Sequence, residues 1–183
     1  MTVFAYPAKT PVEGTLIDDR LCKSFIYLLS TFVDPKTIHN ITVRMCLSIP
    51  DLIIKSVNTG MHEVPHQACR DIINIGDKLI GVSLARGFNA KIRQFLSGKN
   101  GCLHLYNLLI SMRSTAFQGF YAYCSRVLED GSLRKVDLDD SLILNTCHVW
   151  SESGPFAQPG LSETGETTIS NRLKSQRKSS LKV

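Results

Sequence analysis

The stretch "IHNITVRMCLSIPDLIIKSVNTGM", residues 38–61, decides the fold. Two apolar-rich, β-branched runs, Ile41 to Ser48 and Leu52 to Val57, flank the punctuation Ile49-Pro50-Asp51. Branched side chains suit a pleated, half-buried surface, and Pro-Asp breaks it, so the stretch predicts an antiparallel hairpin. "GTLIDDR", from Gly14, offers a possible third strand, and His39 stands just before the hairpin's first strand.

Past the hairpin the apolar period becomes helical. Pro65 marks a possible start, and Cys69, Ile72, Ile73, Ile75 and Leu79 predict a mostly buried helical face up to a stop at Gly81. "NAKIRQFL", residues 89–96, predicts a shorter helix closed by Gly98. A third begins near Gly101-Cys102 and runs to about Leu128, with Leu105, Leu108, Leu109, Met112, Ala116, Phe117 and Phe120 at spacings of 3 and 4. Upstream, "LCKSFIYLLSTFV", residues 21–33, reads as a buried helix: Lys23 interrupts it and Asp34-Pro35 ends it, short of the roughly 18 apolar residues of a membrane span. Strands first and helices afterwards imply a two-layer α+β fold, a small antiparallel sheet with helices packed on one face. "SLRKVDLDDSLILNTCHVW", residues 132–150, fits a strand or a short helix equally well.

A chain of 183 residues accommodates one domain with its own core plus tails, here 1–150 as the domain and 151–183 as a tail. From Ser151 the text turns rich in Ser, Gly, Thr and charge, which predicts a disordered segment, and Arg172, Lys174, Arg177, Lys178 and Lys182 make it basic. The body, 43% hydrophobic and 20% charged overall, has a globular composition. The opening residues show no secretory signal, and six scattered cysteines lack the spacing of a disulfide framework, so a cytoplasmic protein with reduced thiols is expected. Neither a helix-turn-helix nor an aromatic ribonucleoprotein motif accompanies the net charge of +5, and specific nucleic-acid binding is not expected. The phosphate-cradling loop, the Gly-x-Ser-x-Gly elbow and the His-Glu-x-x-His helix are absent from the text as well.

The chemistry concentrates in cysteines and histidines at the ends of elements. Cys102 falls at the N-terminus of the third helix, where unpaired N–H groups favour a thiolate, and His104 is two residues on. Asn107, Ser111, Thr115 and Gln118 continue from His104 as one uncharged polar line, a solvent-facing stripe or the wall of a binding groove. His62, His66 and Cys69 flank the entry to the first predicted helix. Thiolates and imidazoles at such junctions are what zinc or an iron–sulfur centre needs, although no Cys-x-x-Cys pair is present. Cys22, Cys46 and Cys124 sit in apolar runs and read as core, and Cys147-His148, adjacent in a possible strand, would point to opposite faces.

Pro65 and Cys69, Leu79-Ile80-Gly81, Gly87-Phe88, Gly101-Cys102-Leu103-His104-Leu105 and Thr115-Ala116-Phe117-Gln118 resemble, in that order, a bacterial protein family of unknown function whose core is Gly-Cys-x-His-Leu. The likeness covers roughly residues 13–125, with Leu103 in place of that family's usual Thr and Asn40 where an acid follows the histidine. More distantly, the order of elements is similar to iron–sulfur scaffold proteins of the NifU N-terminal type. That resemblance implies His39, Cys69 and Cys102 at the three cysteine positions, with His104 beside them. A ligand set of His39, Cys69, Cys102 and His104 for zinc or an iron–sulfur cluster follows from the overlay, in a metal-binding accessory protein. Two other readings stay open: a thiol enzyme in which Cys102, aided by His104, attacks an acyl or thioester carbonyl, and a non-catalytic module that docks a protein partner through the polar line and the basic tail.

Overall fold

A computed structural model describes residues 2–3, 10–27, 30–124, 126–131, 144–145 and 147–154. The chain divides into two compact units, residues 1–134 and 135–183. In the first, β1 (Thr2–Val3), β2 (Thr10–Arg20), β5 (Lys36–Leu47) and β6 (Ile54–Glu63) form an antiparallel sheet in the order β1-β2-β5-β6. Between β2 and β5 the chain makes a separate two-stranded hairpin, β3 (Ser24–Ile26) and β4 (Thr31–Val33). A 3-10 segment (Gln67–Leu79), α1 (Phe88–Leu96) and α2 (Leu103–Cys124) follow the sheet.

Alternation builds the two layers. Along β5, Ile41, Val43, Met45 and Leu47 are buried while Thr42, Arg44 and Cys46 turn to the other face. Opposite them Val12 and Gly14 of β2 and Ile54 and Met61 of β6 are buried too. On the outer face Arg44 Nε donates to Glu13 at 2.7 Å, a cross-strand ion pair in register. Leu105, Leu108, Leu109, Met112, Ala116 and Phe120 of α2 cover the core face, as their spacing predicts. Each fully buried aliphatic side chain of this kind contributes roughly 1.5–3 kcal/mol. Gly14 lets the helix come close: a Cβ there would lie 2.7 Å from Met112 Sδ and 3.0 Å from Leu108 Cδ1. Gly76 plays the same part for the 3-10 segment, where a Cβ would meet Val57 Cγ1 at 2.6 Å.

The first predicted helix is a succession of 3-10 turns rather than an α-helix. Such turns rarely run beyond three or four residues unless something holds them. At the start Arg70 donates to the carbonyls of Met61 (3.2 Å) and His62 (3.1 Å). At the far end Gly81 N–H donates to the Ile54 carbonyl (2.8 Å) and Ile54 N–H to the Val82 carbonyl (3.0 Å), stitching the exit to β6.

Residues 21–33 are not a buried helix. The described ones, 21–27 and 30–33, carry the β3–β4 hairpin, with Tyr27 and Leu21 87% exposed and Phe32 66% exposed. Continuous apolarity suggested burial, but β-branched and aromatic residues around Ser30-Thr31 pair across a turn instead. The hairpin's first main strand also begins earlier than the β-branched run, so His39 lies inside β5 and not before it. Cys22 is exposed, Cys46 is half-buried on the outer face, and Cys124 alone of that trio is buried.

In the second unit, Asn145 N–H donates to the Trp150 carbonyl (2.9 Å) and Glu152 N–H to Asn145 Oδ1 (3.2 Å), closing a turn that carries exposed Cys147 and His148. Most of the ambiguous stretch, residues 132–143, and most of the predicted tail, residues 155–183, lie outside the described residues. Among the described residues no helix is long and apolar enough to cross a membrane.

Candidate functional site: an Asp-His-His group at the end of the sheet

Three elements converge at one end of the core. In the β2–β5 register Asp18 stands opposite His39, and both continue the core-facing rows of their strands. The pairing skips a residue on each side of His39, between Asp18 and Asp19 on one edge and between Asn40 and Ile41 on the other. Bulges of this kind re-aim side chains locally. The third element is α2, which crosses β2 at Gly14 through Leu108 and Met112, so its first turn reaches the Asp18 end of the strand.

His39, 8% exposed, forms the floor; its Nδ1–H donates to Asp18 Oδ2 at 2.9 Å. Asp18 itself is about half exposed and sits at the mouth. The His104 ring stacks on His39 with centroids 3.8 Å apart and planes 30° from parallel. One ligand atom from each of Asp18, His39 and His104 falls within 4.8 Å of the other two. Burial first, and the neighbouring His39 second, lower the His104 pKa from its ordinary value, with Asp18 partly opposing them. The ring is therefore neutral at pH 7, with a lone pair to offer.

Cys102 is the N-cap of α2: its carbonyl accepts from Tyr106 N–H at 2.9 Å. Its Sγ lies 3.9 Å from His104 Nδ1. The loop before it is pinned by Gly101, where a Cβ would stand 2.3 Å from the Leu96 Cα and carbonyl oxygen at the end of α1. Glycine in the Gly-Cys-x-His run is thus a packing requirement.

Of the residues singled out from sequence, His39, Cys102 and His104 come together. Cys69 lies in the first turn of the 3-10 segment, half-buried, and is not part of the three-residue group. His66 accepts the Ala68 N–H at Nδ1 (3.1 Å), the work of a helix cap. Asn107, Ser111 and Gln118 are exposed and Thr115 is half-buried, so the polar line faces solvent along the outside of α2.

Asp18 was not anticipated, although it left a signal: it continues Val12, Gly14 and Leu16 at alternate positions, a carboxylate on the row that should face the core.

No curated protein and no solved structure matches the chain. A family model described as a protein of unknown function, DUF2889, matches residues 4–118, a span that holds both strands of the Asp18–His39 pair and the first turns of α2. Covering well over half of the sequence, that match makes the chain a member of the DUF2889 family.

Proposed function

We propose that this chain is a metal-binding protein that holds one divalent transition-metal ion on Asp18, His39 and His104. The observation that carries the reading is the convergence of their ligand atoms within 4.8 Å, from a strand, its neighbour and a helix N-terminus. Metal–nitrogen and metal–oxygen bonds of about 2.1 Å need donor separations of roughly 3–3.5 Å, so ligation would draw the donors in from separations of up to 4.8 Å. Two imidazoles and a carboxylate suit zinc or ferrous iron and leave positions for water or a bound molecule. An iron–sulfur cluster asks for several thiolates, and among the described residues only Cys102 stands beside this group, so the ligand chemistry favours a single ion over a cluster.

The test is elemental analysis and an absorption spectrum of protein purified without oxygen, alongside His39→Ala and His104→Ala. Near one equivalent of metal in the native chain and its loss in both variants supports the reading. A native chain that stays metal-free after incubation with zinc and with ferrous iron overturns it.

A second reading rests on the 3.9 Å approach of Cys102 Sγ to His104 Nδ1 at a helix N-terminus. There Cys102 is a nucleophile toward an acyl or thioester carbonyl, and neutral His104 takes its proton. It stands second because Asp18 orients His39 and not His104, so the base lacks the carboxylate partner of a triad. Faster alkylation of Cys102 than of exposed Cys22 and Cys147 in metal-free protein, slowed by His104→Ala, favours this alternative.

A further inference from the structure

The β3–β4 hairpin presents an aromatic face to solvent. Phe25 and Phe32 are cross-strand partners with centroids 5.0 Å apart, and Tyr27, two residues on from Phe25, packs edge-on against it at 5.2 Å. The three rings therefore share one side, 40%, 66% and 87% exposed for Phe25, Phe32 and Tyr27. Among the described residues β3 and β4 pair only with each other, and no described strand lies along the outer edge of either. A two-stranded hairpin on its own is marginal in water, and an open edge beside exposed rings is a template for another strand.

We propose that this hairpin is a self-association surface whose occupant is the same hairpin of a second copy of the chain. The charges select that occupant. At its base Lys23 Nζ lies 3.8 Å from Asp34 Oδ1, with the side chains 64% and 84% exposed. Under a two-fold axis the Lys23 of each copy can face the Asp34 of the other, so the rim is complementary to itself. An anionic membrane selects a surplus of basic residues, whereas here Asp19 and Asp34 nearly balance Arg20, Lys23 and Lys36. Taking about 200 Å² per ring, the exposed aromatic area is about 400 Å² per chain. That is about half of what a standard interface buries on each partner, and edge pairing of the strands and Leu21 add to it.

The hairpin lies outside the metal group, so this inference stands or falls independently of the proposed function. Sedimentation equilibrium on the full chain over roughly 1–100 μM reads it directly, the range suited to an interface at the small end of the standard size. The native chain should pass from monomer to dimer. Tyr27→Asp/Phe32→Asp should raise the dissociation constant by about tenfold or more, with the circular dichroism spectrum and metal content unchanged. Lys23→Asp should weaken the dimer, and adding Asp34→Lys should restore it. A native chain monomeric throughout overturns the proposal, as does a dimer indifferent to the aromatic double variant. A monomer that floats with phosphatidylserine vesicles also overturns it and assigns the face to a membrane surface.

Discussion

Gly101→Ala separates a packing requirement from a merely flexible loop. The backbone there has φ −152°, extended geometry that any residue adopts, so the case rests on proximity alone. An added Cβ would lie 2.3 Å from Leu96 Cα and its carbonyl oxygen and 2.5 Å from its carbonyl carbon. Relaxed carbon contacts need about 3.5 Å, so the loop and the end of α1 must part by roughly 1 Å. Leu96 contributes backbone here, which cannot swing aside as the Met112 side chain can at Gly14. Overpacking of this kind costs about 1–3 kcal/mol, and rigid neighbours place Gly101 at the upper end. At about 2–4 °C per kcal/mol for a chain of this size, the melting temperature should fall by roughly 5–10 °C. Cys102 and His104 follow within one turn, so metal affinity should fall by about tenfold or more. Gly98→Ala is the control: nothing lies within 4 Å of a Cβ there, and its φ of +61° charges only left-handed strain, about 1–2 kcal/mol. Circular dichroism melts of metal-free protein, with calorimetric titration of zinc, measure both effects. A Gly101→Ala protein that melts within about 1 °C of the native chain and binds metal normally would refute the reasoning.

Other expectations follow from single contacts. If the proposed site is right, Asp18→Asn removes its anionic donor while keeping the shape, and calorimetric titration should show metal affinity reduced by about 10- to 100-fold with little change in the metal-free melting temperature. Arg113 donates from Nε to the Leu84 carbonyl at 2.7 Å and lies 5.0 Å over the Phe117 ring, tying α2 to the exit of the 3-10 segment. Burial lowers its pKa from the usual guanidinium value but leaves it charged at neutral pH, so Arg113→Ala should cost about 1.5–3 kcal/mol in urea denaturation. The depressed pKa of His104 means that the unfolded chain binds its proton more readily than the folded one. Its contribution to stability is present above the unfolded value of about 6.5 and is lost as pH falls through the folded value. Metal-free native protein should therefore lose melting temperature more steeply than His104→Gln between about pH 7.5 and 5, and parallel curves would count against the buried, neutral ring.

The sheet and helices were legible where the side-chain period was unambiguous. Ile41, Val43 and Met45 alternate, and Leu105, Leu108, Leu109 and Met112 repeat at 3 and 4, so both patterns carry burial and direction together. Residues 21–33 were not, because an apolar run without period looks the same in a buried helix and in a hairpin that faces solvent. Cys102 and His104 showed because they are close in sequence and sit at a helix start, and His39 through the distant resemblance that gave it a ligand position. Asp18 joins them only through strand register, 21 residues from its partner, and register depends on turn and bulge geometry that no local motif encodes.

That register explains why the group is ordered without a dedicated scaffold. Along β5 the core row runs Leu47, Met45, Val43, Ile41 and then His39; along β2 it runs Val12, Gly14, Leu16 and then Asp18. On α2 the buried Met112, Leu108 and Leu105 lead back to His104 and Cys102. The site is the open end of the core, and each polar side chain is fixed by the same packing that buries its apolar predecessors. Burial and the His39 ring stacked on it at 3.8 Å both lower the His104 pKa, so the packing that places this ring also favours its neutral form. Because His39 is nearly sealed while Asp18 stays half exposed, an ion bound as proposed would meet the carboxylate first and the imidazoles afterwards. Asp18 would then supply the charge attraction at the mouth, and His39 the nitrogen donor at the floor, along one path.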